Sequence, residues 1–139
     1  APASAVRAVL PAARNGCVRI ALETSLDPGG VRELLDAIDA PDVGVNYDSG
    51  NSASLGFDIR EEFAAYGSDV ISVHIKDRVR GGGTVPLGTG DADLPALFDA
   101  LRRVQYAGPL FLQAARSGDE VAAIRGYAQQ VAALIEPRP

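Results

Sequence analysis

Four short runs in which aliphatic side chains alternate with small or polar ones recur along this chain, and a segment with helical periodicity follows each of them. The runs cover residues 18–23, 43–48, 70–77 and 110–116. Strands that alternate with helices are joined by right-handed crossovers, so they lie parallel in one sheet. The sequence therefore predicts an α/β fold built on four neighbouring parallel strands.

The segments around these runs carry the helical patterns. Between Val31 and Ile38 apolar residues recur at i, i+3, i+4 and i+7, and Asp27 followed by Pro28 is typical of a helix start. Four more helices are predicted at about 4–15, 58–66, 94–101 and 119–135. Asp91 and Asp93 are predicted to be helix caps. Residues 49–56 are rich in Ser and Gly, residues 78–90 are rich in Gly, and both segments are predicted to be loops.

The two faces of each predicted strand differ in character. Successive side chains of a strand point to opposite faces, so Ser72, His74 and Lys76 share one face and aliphatic residues share the other. Strands of an open parallel sheet are covered on both faces and are apolar on both. One aliphatic face and one face of small and polar groups are instead typical of a (β/α)₈ barrel with a site at its mouth.

The length of the chain covers only part of such a barrel. A complete barrel takes about 250 residues, so four strand-helix units are roughly half of one. The chain begins with Ala-Pro-Ala and contains no methionine. We therefore expect residues 1–139 to form a single partial barrel domain whose upstream half is absent. Because a half-barrel leaves two exposed strand edges, we expect the missing half or a second copy of the chain to complete it.

Composition narrows the classes of function. A hydrophobic content of 47% with 22% charged residues is typical of a globular domain. The net charge of −5 gives little electrostatic support for binding nucleic acid. The single cysteine, Cys17, and the lack of an apolar run of about 20 residues predict a cytoplasmic protein with neither an intrachain disulfide nor a membrane span.

Polar side chains occupy equivalent positions near the ends of the predicted strands. Glu23, Asp48 and His74 are one strand-helix unit apart, and Gln113 follows on the fourth strand. Two carboxylates and an imidazole form a mixed ligand set for a divalent ion, and an amide oxygen can join it. Without a cation the carboxylates would repel each other. We predict a metal site here, although each residue taken singly could cap a helix or lie hydrogen-bonded in the core.

Four short motifs extend this pattern: Leu-Glu-Thr at 22–24, Asn-Tyr-Asp-Ser-Gly-Asn at 46–51, Val-His-Ile-Lys-Asp at 73–77 and Leu-Gly-Thr-Gly-Asp-Ala-Asp-Leu at 87–94. They resemble the C-terminal half of the xylose-isomerase-like TIM-barrel superfamily, nearest to its sugar phosphate isomerases and epimerases. The resemblance implies that the chain supplies strands five to eight of the barrel. It also implies that Glu23, Asp48, His74 and the residue at position 113 hold Mn²⁺, Zn²⁺, Co²⁺ or Mg²⁺. The family usually has glutamate at the last position, where this chain has Gln113.

The resemblance further implies an isomerase or epimerase that acts on a sugar or sugar phosphate through an enediolate. In that chemistry Glu23 would remove a proton next to a carbonyl, and Lys76 would stabilise the oxyanion or carry a proton. A solvated strand-end lysine is the alternative for Lys76. Because an epimerase uses two bases, Gln113 favours an isomerase with one base. The superfamily also includes metal-dependent apurinic endonucleases, so a phosphodiesterase is an alternative, as is a non-catalytic relative.

The glycine-rich loop at 78–93 is a candidate lid or phosphate clamp. Arg78 and Arg80 bring positive charge, and glycines expose backbone amides. A flexible connector is the open alternative. Asn51 and Arg116 complete the expected substrate-binding residues, although a pairing of Arg116 with Asp48 is favoured slightly over one with a substrate phosphate.

Overall fold

The structure is a computed structural model that describes residues 2–116 and 118–136. Its helices and strands are α1 (Pro2–Asn15), β1 (Ile20–Leu22), α2 (Pro28–Ile38), β2 (Val43–Asp48), α3 (Ser49–Leu55), α4 (Ile59–Tyr66), β3 (Val70–Ile75), β4 (Asp77–Arg78), β5 (Thr84–Val85), α5 (Leu94–Arg103), β6 (Leu110–Leu112) and α6 (Glu120–Ile135). A short 3₁₀ turn, Gly67–Asp69, leads into β3.

Four of these strands form one parallel sheet in the order β1-β2-β3-β6. Helices α2 and α6 pack against its strands, and α3 packs where β2 and β3 end. The prediction of four parallel strands alternating with helices, as in part of a TIM barrel, is confirmed. The core lies between the sheet and the helices, where Val73, Ile75 and Leu97 are completely buried. β1 and β6 are the edges of this sheet.

Residues 49–56, predicted as a loop, instead contain α3. The helix begins directly after β2 because the Asp48 carboxylate accepts a hydrogen bond from the backbone N–H of Asn51 at 2.8 Å and so caps the first turn. Gly50 is required within it, since a Cβ there would lie 2.9 Å from Cγ of Lys76. The sequence of α3 has low helix propensity, and the cap and the packing override it.

The long loop after β3 is more ordered than its glycine content indicates. β4 and β5 pair as an antiparallel hairpin, and the buried carboxylate of Asp77 organises the segment that follows. Its Oδ2 accepts hydrogen bonds from the N–H groups of Gly88 and Gly90, both at 2.9 Å, and its Oδ1 accepts one from Ala92 at 3.0 Å. These three amides are therefore occupied and do not face outward for a phosphate.

Of the three aspartates predicted to mark or cap helix starts, two do so. Asp27 and Asp93 cap α2 and α5 as predicted. Asp91 does not cap a helix, because its carboxylate accepts a hydrogen bond from the backbone N–H of Arg80 at 2.6 Å.

Among the described residues, every helix is too short or too polar to cross a bilayer.

Candidate metal centre

Three side chains from neighbouring strands meet at the carboxyl end of the sheet. Glu23 follows β1, Asp48 ends β2 and His74 lies near the end of β3. Nδ1 of His74 is 3.6 Å from Oε2 of Glu23 and 3.8 Å from Oδ2 of Asp48. The strand phase alone predicts this convergence, because parallel strands carry residues of equal phase to the same face.

The donor set fits a divalent cation. One ligand atom from each of Glu23, Asp48 and His74 can be chosen so that all lie within 4.8 Å of one another. Oxygen and nitrogen ligands lie about 2.0–2.2 Å from a zinc ion, so two ligands of one ion are at most about 4.4 Å apart. Small side-chain rotations therefore suffice to bring the three atoms into a common coordination sphere.

Two asparagines hold the Glu23 carboxylate. Nδ2 of Asn46 donates to Oε2 at 2.7 Å, and Nδ2 of Asn51 donates to Oε1 at 2.8 Å. Oδ1 of Asn46 in turn accepts a hydrogen bond from the hydroxyl of Ser72. Although the Glu23 side chain is 41% exposed, both of its oxygens are thus fixed by the protein.

The carboxylate of Asp48 is almost fully buried, with 2% of its side chain exposed. One oxygen caps α3, and the other faces Nζ of Lys76 at 3.7 Å. Asp48 therefore serves both as a helix cap and as a member of the cluster. Lys76 is half-buried beside this carboxylate, so it is not simply a solvated lysine at the end of a strand.

Ser49 fixes the end of β3. Its hydroxyl donates to the carbonyl of Lys76 at 2.6 Å and accepts from the N–H of the same residue at 3.0 Å. On the other side, the ring of Phe111 meets the ring of His74 edge to face at a centroid distance of 5.6 Å. The imidazole is thus held between the carboxylates and an aromatic ring.

Gln113 lies directly after β6, and its side chain is exposed. Its backbone N–H donates to the carbonyl of Ile75 at 3.0 Å, which continues the pairing of Ile75 with Leu112. This register sets Gln113 beside Lys76, on the polar face of the sheet. Its position is that of a fourth strand-end residue, and ligation through its amide oxygen stays a prediction.

The expected substrate-binding residues separate into two groups. Asn51 and Arg78 belong to the centre: an Nη of Arg78 donates to Oδ1 of Asn51 at 2.9 Å, while its other guanidinium nitrogens donate to the carbonyl of Gly82. Arg80 and Arg116 are exposed, and within the described ranges no side-chain hydrogen bond or ion pair joins either to the cluster. Arg116 lines a groove with Val85 and other residues of the hairpin and α6.

A second polar cluster, around Glu62, has no counterpart in the sequence predictions. The buried Glu62 carboxylate accepts hydrogen bonds from the hydroxyls of Tyr47 at 2.9 Å, Ser52 at 2.5 Å and Tyr66 at 2.9 Å. Burial raises the pKa of Glu62 above its ordinary value, and it raises the pKa of Tyr47 and of Tyr66 as well. Both tyrosines stay protonated and donate, so the cluster ties β2, α3 and α4 together behind the metal centre.

Sequence reasoning missed this cluster because Glu62 looks like one of several exposed acids on α4. Asn46 and Ser72 were recognisable as members of the polar face by their phase. Phase could not show that Asn46 bonds Glu23 across β1 and β2, or that Ser72 bonds Asn46 across β2 and β3, where the register shifts at Val45 and Asn46.

Comparison with known proteins agrees with the fold. A family model described as xylose isomerase-like TIM barrel matches residues 2–136. Among solved structures, a xylose isomerase domain protein from Planctomyces limnophilus has 25% identity and a TM-score of 0.85, with 95% of this chain and 52% of that chain covered. An IolI protein with a bound zinc atom has 20% identity and a TM-score of 0.80, covering 96% and 54%.

A D-allulose 3-epimerase from Methylomonas sp. has 21% identity and a TM-score of 0.66, covering 83% of this chain and 42% of that chain. The chain therefore spans about half the length of the solved structures that it matches. No curated protein sequence matches it significantly.

Proposed function

Because this chain belongs to the xylose isomerase-like TIM barrel family, we propose that it carries the metal-binding half of a sugar or sugar phosphate isomerase. The observation that carries the proposal is the cluster of Glu23, Asp48 and His74, whose ligand atoms lie within 4.8 Å of one another. Relatives described as a zinc-bound IolI protein and a D-allulose 3-epimerase support a divalent ion and a carbohydrate substrate.

A divalent ion held by Glu23, Asp48 and His74 would supply a Lewis acid for a substrate carbonyl and its neighbouring hydroxyl. Gln113 is the proposed fourth ligand through its amide oxygen. With two carboxylates and a neutral amide, the charges of the ligands and a dication sum to zero. A site with three carboxylates would sum to −1.

Glu23 is the proposed base that removes the proton from the carbon next to the carbonyl and leaves an enediolate. The amides of Asn46 and Asn51 orient its carboxylate, so no side-chain reorganisation precedes the transfer. Lys76 provides a positive charge on the same face, where it stabilises the negative oxygen that develops as the proton leaves. Nζ of Lys76 lies 3.7 Å from Oδ2 of Asp48, close to the proposed metal ligands.

The neutral Gln113 decides between the two reactions. Glutamine does not act as a base at neutral pH, so a second proton transfer from the opposite face of the substrate has no carboxylate at this position. An aldose-ketose isomerisation needs only one base on one face. We therefore propose isomerisation rather than epimerisation as the main reaction.

Deuterium exchange tests the proposal directly. The intact protein that contains this chain is incubated with Mn²⁺ and a panel of ketoses and ketose phosphates in D₂O. Proton NMR then follows loss of the signal from the carbon next to the carbonyl. We expect exchange in the wild type, together with at least a 10²-fold loss in Glu23→Gln, since a positioned base contributes about 10²–10⁴-fold.

Glu33→Gln is the matched control, because Glu33 is an exposed residue of α2 and the substitution removes the same charge. It should leave the exchange rate unchanged. Metal binding without exchange on any member of the panel would contradict the enzymatic proposal and favour a non-catalytic relative. Exchange that persists in Glu23→Gln would contradict the role of Glu23.

A further inference from the structure

Asn46 is a buried amide on the polar face of the sheet. It is 8% exposed on β2 and sits at the register shift between β2 and β3. A buried polar group costs free energy unless its hydrogen bonds are made, and here both ends of the amide are bonded. Its Nδ2 donates to Oε2 of Glu23, and its Oδ1 accepts a hydrogen bond from the hydroxyl of Ser72.

The direction of these hydrogen bonds is fixed by chemistry. An ionised carboxylate only accepts, so Asn46 must turn its NH₂ group towards Oε2 of Glu23. Its carbonyl oxygen then faces Ser72, and the hydroxyl of Ser72 must donate to it. The carboxylate therefore determines which end of the Asn46 amide faces Glu23, and Ser72 holds that orientation by donating to the carbonyl oxygen.

The Glu23 oxygen that accepts the hydrogen bond from Asn46 is also the oxygen that faces the other proposed metal ligands. Oε2 of Glu23 is also the atom that lies 3.6 Å from Nδ1 of His74. Asn46 occupies one lone pair of this oxygen and leaves the other free. Asn51 holds Oε1 of the same carboxylate at 2.8 Å, so the group cannot turn without breaking a hydrogen bond on each side.

We propose that Asn46, held in place by Ser72, is a positioning residue that orients Oε2 of Glu23 towards the divalent ion. This inference rests on the proposed metal site and assigns to it two residues that are not ligands. Groups that hydrogen-bond a metal ligand fix its orientation, and their loss typically lowers metal affinity about 10–100-fold.

Metal titration of Ser72 variants tests the inference in the intact protein. Calorimetric titration with Co²⁺ gives the affinity, and the visible spectrum of bound Co²⁺ reports the ligand geometry. We expect Ser72→Ala to weaken Co²⁺ binding about tenfold and to change the spectrum, because the carbonyl oxygen of Asn46 loses the donor that holds the amide in place. Ser72→Thr retains the hydroxyl and should restore both readouts. Asn46→Leu should weaken binding more, by about 100-fold.

Tyr106→Phe is the matched control. It also removes one hydroxyl, whose partner is the carbonyl of Pro109 at the opposite end of β6. It should change neither the affinity nor the spectrum. If the wild type binds Co²⁺ and Ser72→Ala binds it equally well with the same spectrum, the inference is wrong while the metal site stands. If the wild type does not bind Co²⁺, the proposed function and the inference are both wrong.

Discussion

Gln113 is the residue whose chemistry sets this site apart from a site with three carboxylates. It lies at the end of β6 with an exposed side chain, so a carboxylate of similar size fits there without repacking. Gln113→Glu should therefore raise the affinity for Mn²⁺ about tenfold or more, because the number of charged ligands sets cation affinity. Calorimetric titration of the intact protein measures the change.

Gln129→Glu is the control for this prediction, since Gln129 is exposed on α6 and the substitution adds the same charge. It should leave the affinity for Mn²⁺ within a factor of about two, because exposed charges are strongly screened. Equal affinities of wild type and Gln113→Glu would show that position 113 does not reach the ion.

Glu62 gives a prediction about pH. Desolvation raises its pKa in the folded state, so in the pH interval between the unfolded and the folded pKa the folded protein holds a proton that the unfolded chain has released. The stability contributed by this proton is present below the unfolded pKa and is lost as pH rises through the folded pKa. Stability of the wild type relative to Glu62→Gln should therefore fall as pH rises above about 4.3, by about 1.4 kcal/mol for each unit of pKa elevation.

Urea unfolding at a series of pH values measures this difference. Glu61→Gln is the neighbouring control, because Glu61 is exposed on the same helix. Its stability relative to the wild type should not show the same trend. A difference between Glu62→Gln and the wild type that is constant from pH 4.5 to pH 8 would contradict the cost that burial imposes on the Glu62 carboxylate.

At the scale of the elements, the hairpin β4–β5 and the segment after it depend on Asp77. Its carboxylate is 1% exposed and accepts three backbone hydrogen bonds. Gly90 is needed because a Cβ there would lie 2.3 Å from Oδ1 of Asp77. The segment is therefore held by one side chain.

Asp77→Asn replaces one accepting oxygen with an NH₂ group that faces a backbone donor. An unsatisfied buried polar group costs about 1–3 kcal/mol, so we expect a loss of that size in urea unfolding. Limited proteolysis should also cut more readily between residues 81 and 90. Asp93→Asn is the control, because asparagine caps a helix as well as aspartate does and α5 should stay intact. Unchanged stability of Asp77→Asn would contradict this account of the loop.

The strands and helices could largely be predicted because periodicity records which faces are buried. β2 runs over Val43–Asp48 as predicted, since it is paired on both sides. β1 and β6 are shorter than predicted, because an edge strand pairs on one side only and its ladder ends with its partner. α3 and the β4–β5 hairpin could not be predicted, because both depend on contacts between residues distant in sequence, such as Arg78 with Asn51.

The candidate metal centre, too, could be predicted from the sequence only in part. Strand phase placed Glu23, Asp48 and His74 on one face and thereby predicted their convergence. The hydrogen bonds that orient Glu23 depend on the register between strands, which a pattern of period two does not determine.

At the scale of the whole molecule, the described half-barrel leaves surfaces that a complete barrel would cover. Phe111 is 49% exposed on the polar face of the sheet, and Val121 is 71% exposed on α6. The outer edges of β1 and β6 have no partner strand among the described residues. Exposed strand edges and apolar patches promote association.

We therefore expect the 139-residue chain, expressed alone, to form dimers or larger assemblies, which light scattering after size exclusion would detect. Val121→Lys should reduce this association, because it replaces an exposed apolar side chain with a charge. Ala122→Lys, an exposed neighbour on α6, is the control for added charge. A monomer that is stable at high concentration would contradict the expectation.

The central claim is that Glu23, Asp48 and His74 bind one divalent ion. Crystals of the intact protein grown with Zn²⁺, measured at the zinc absorption edge, test it most directly. We predict an anomalous peak about 2.0–2.2 Å from one carboxylate oxygen of Glu23, one of Asp48 and Nδ1 of His74. Anomalous peaks only at other positions, with none between these three side chains, would contradict the account.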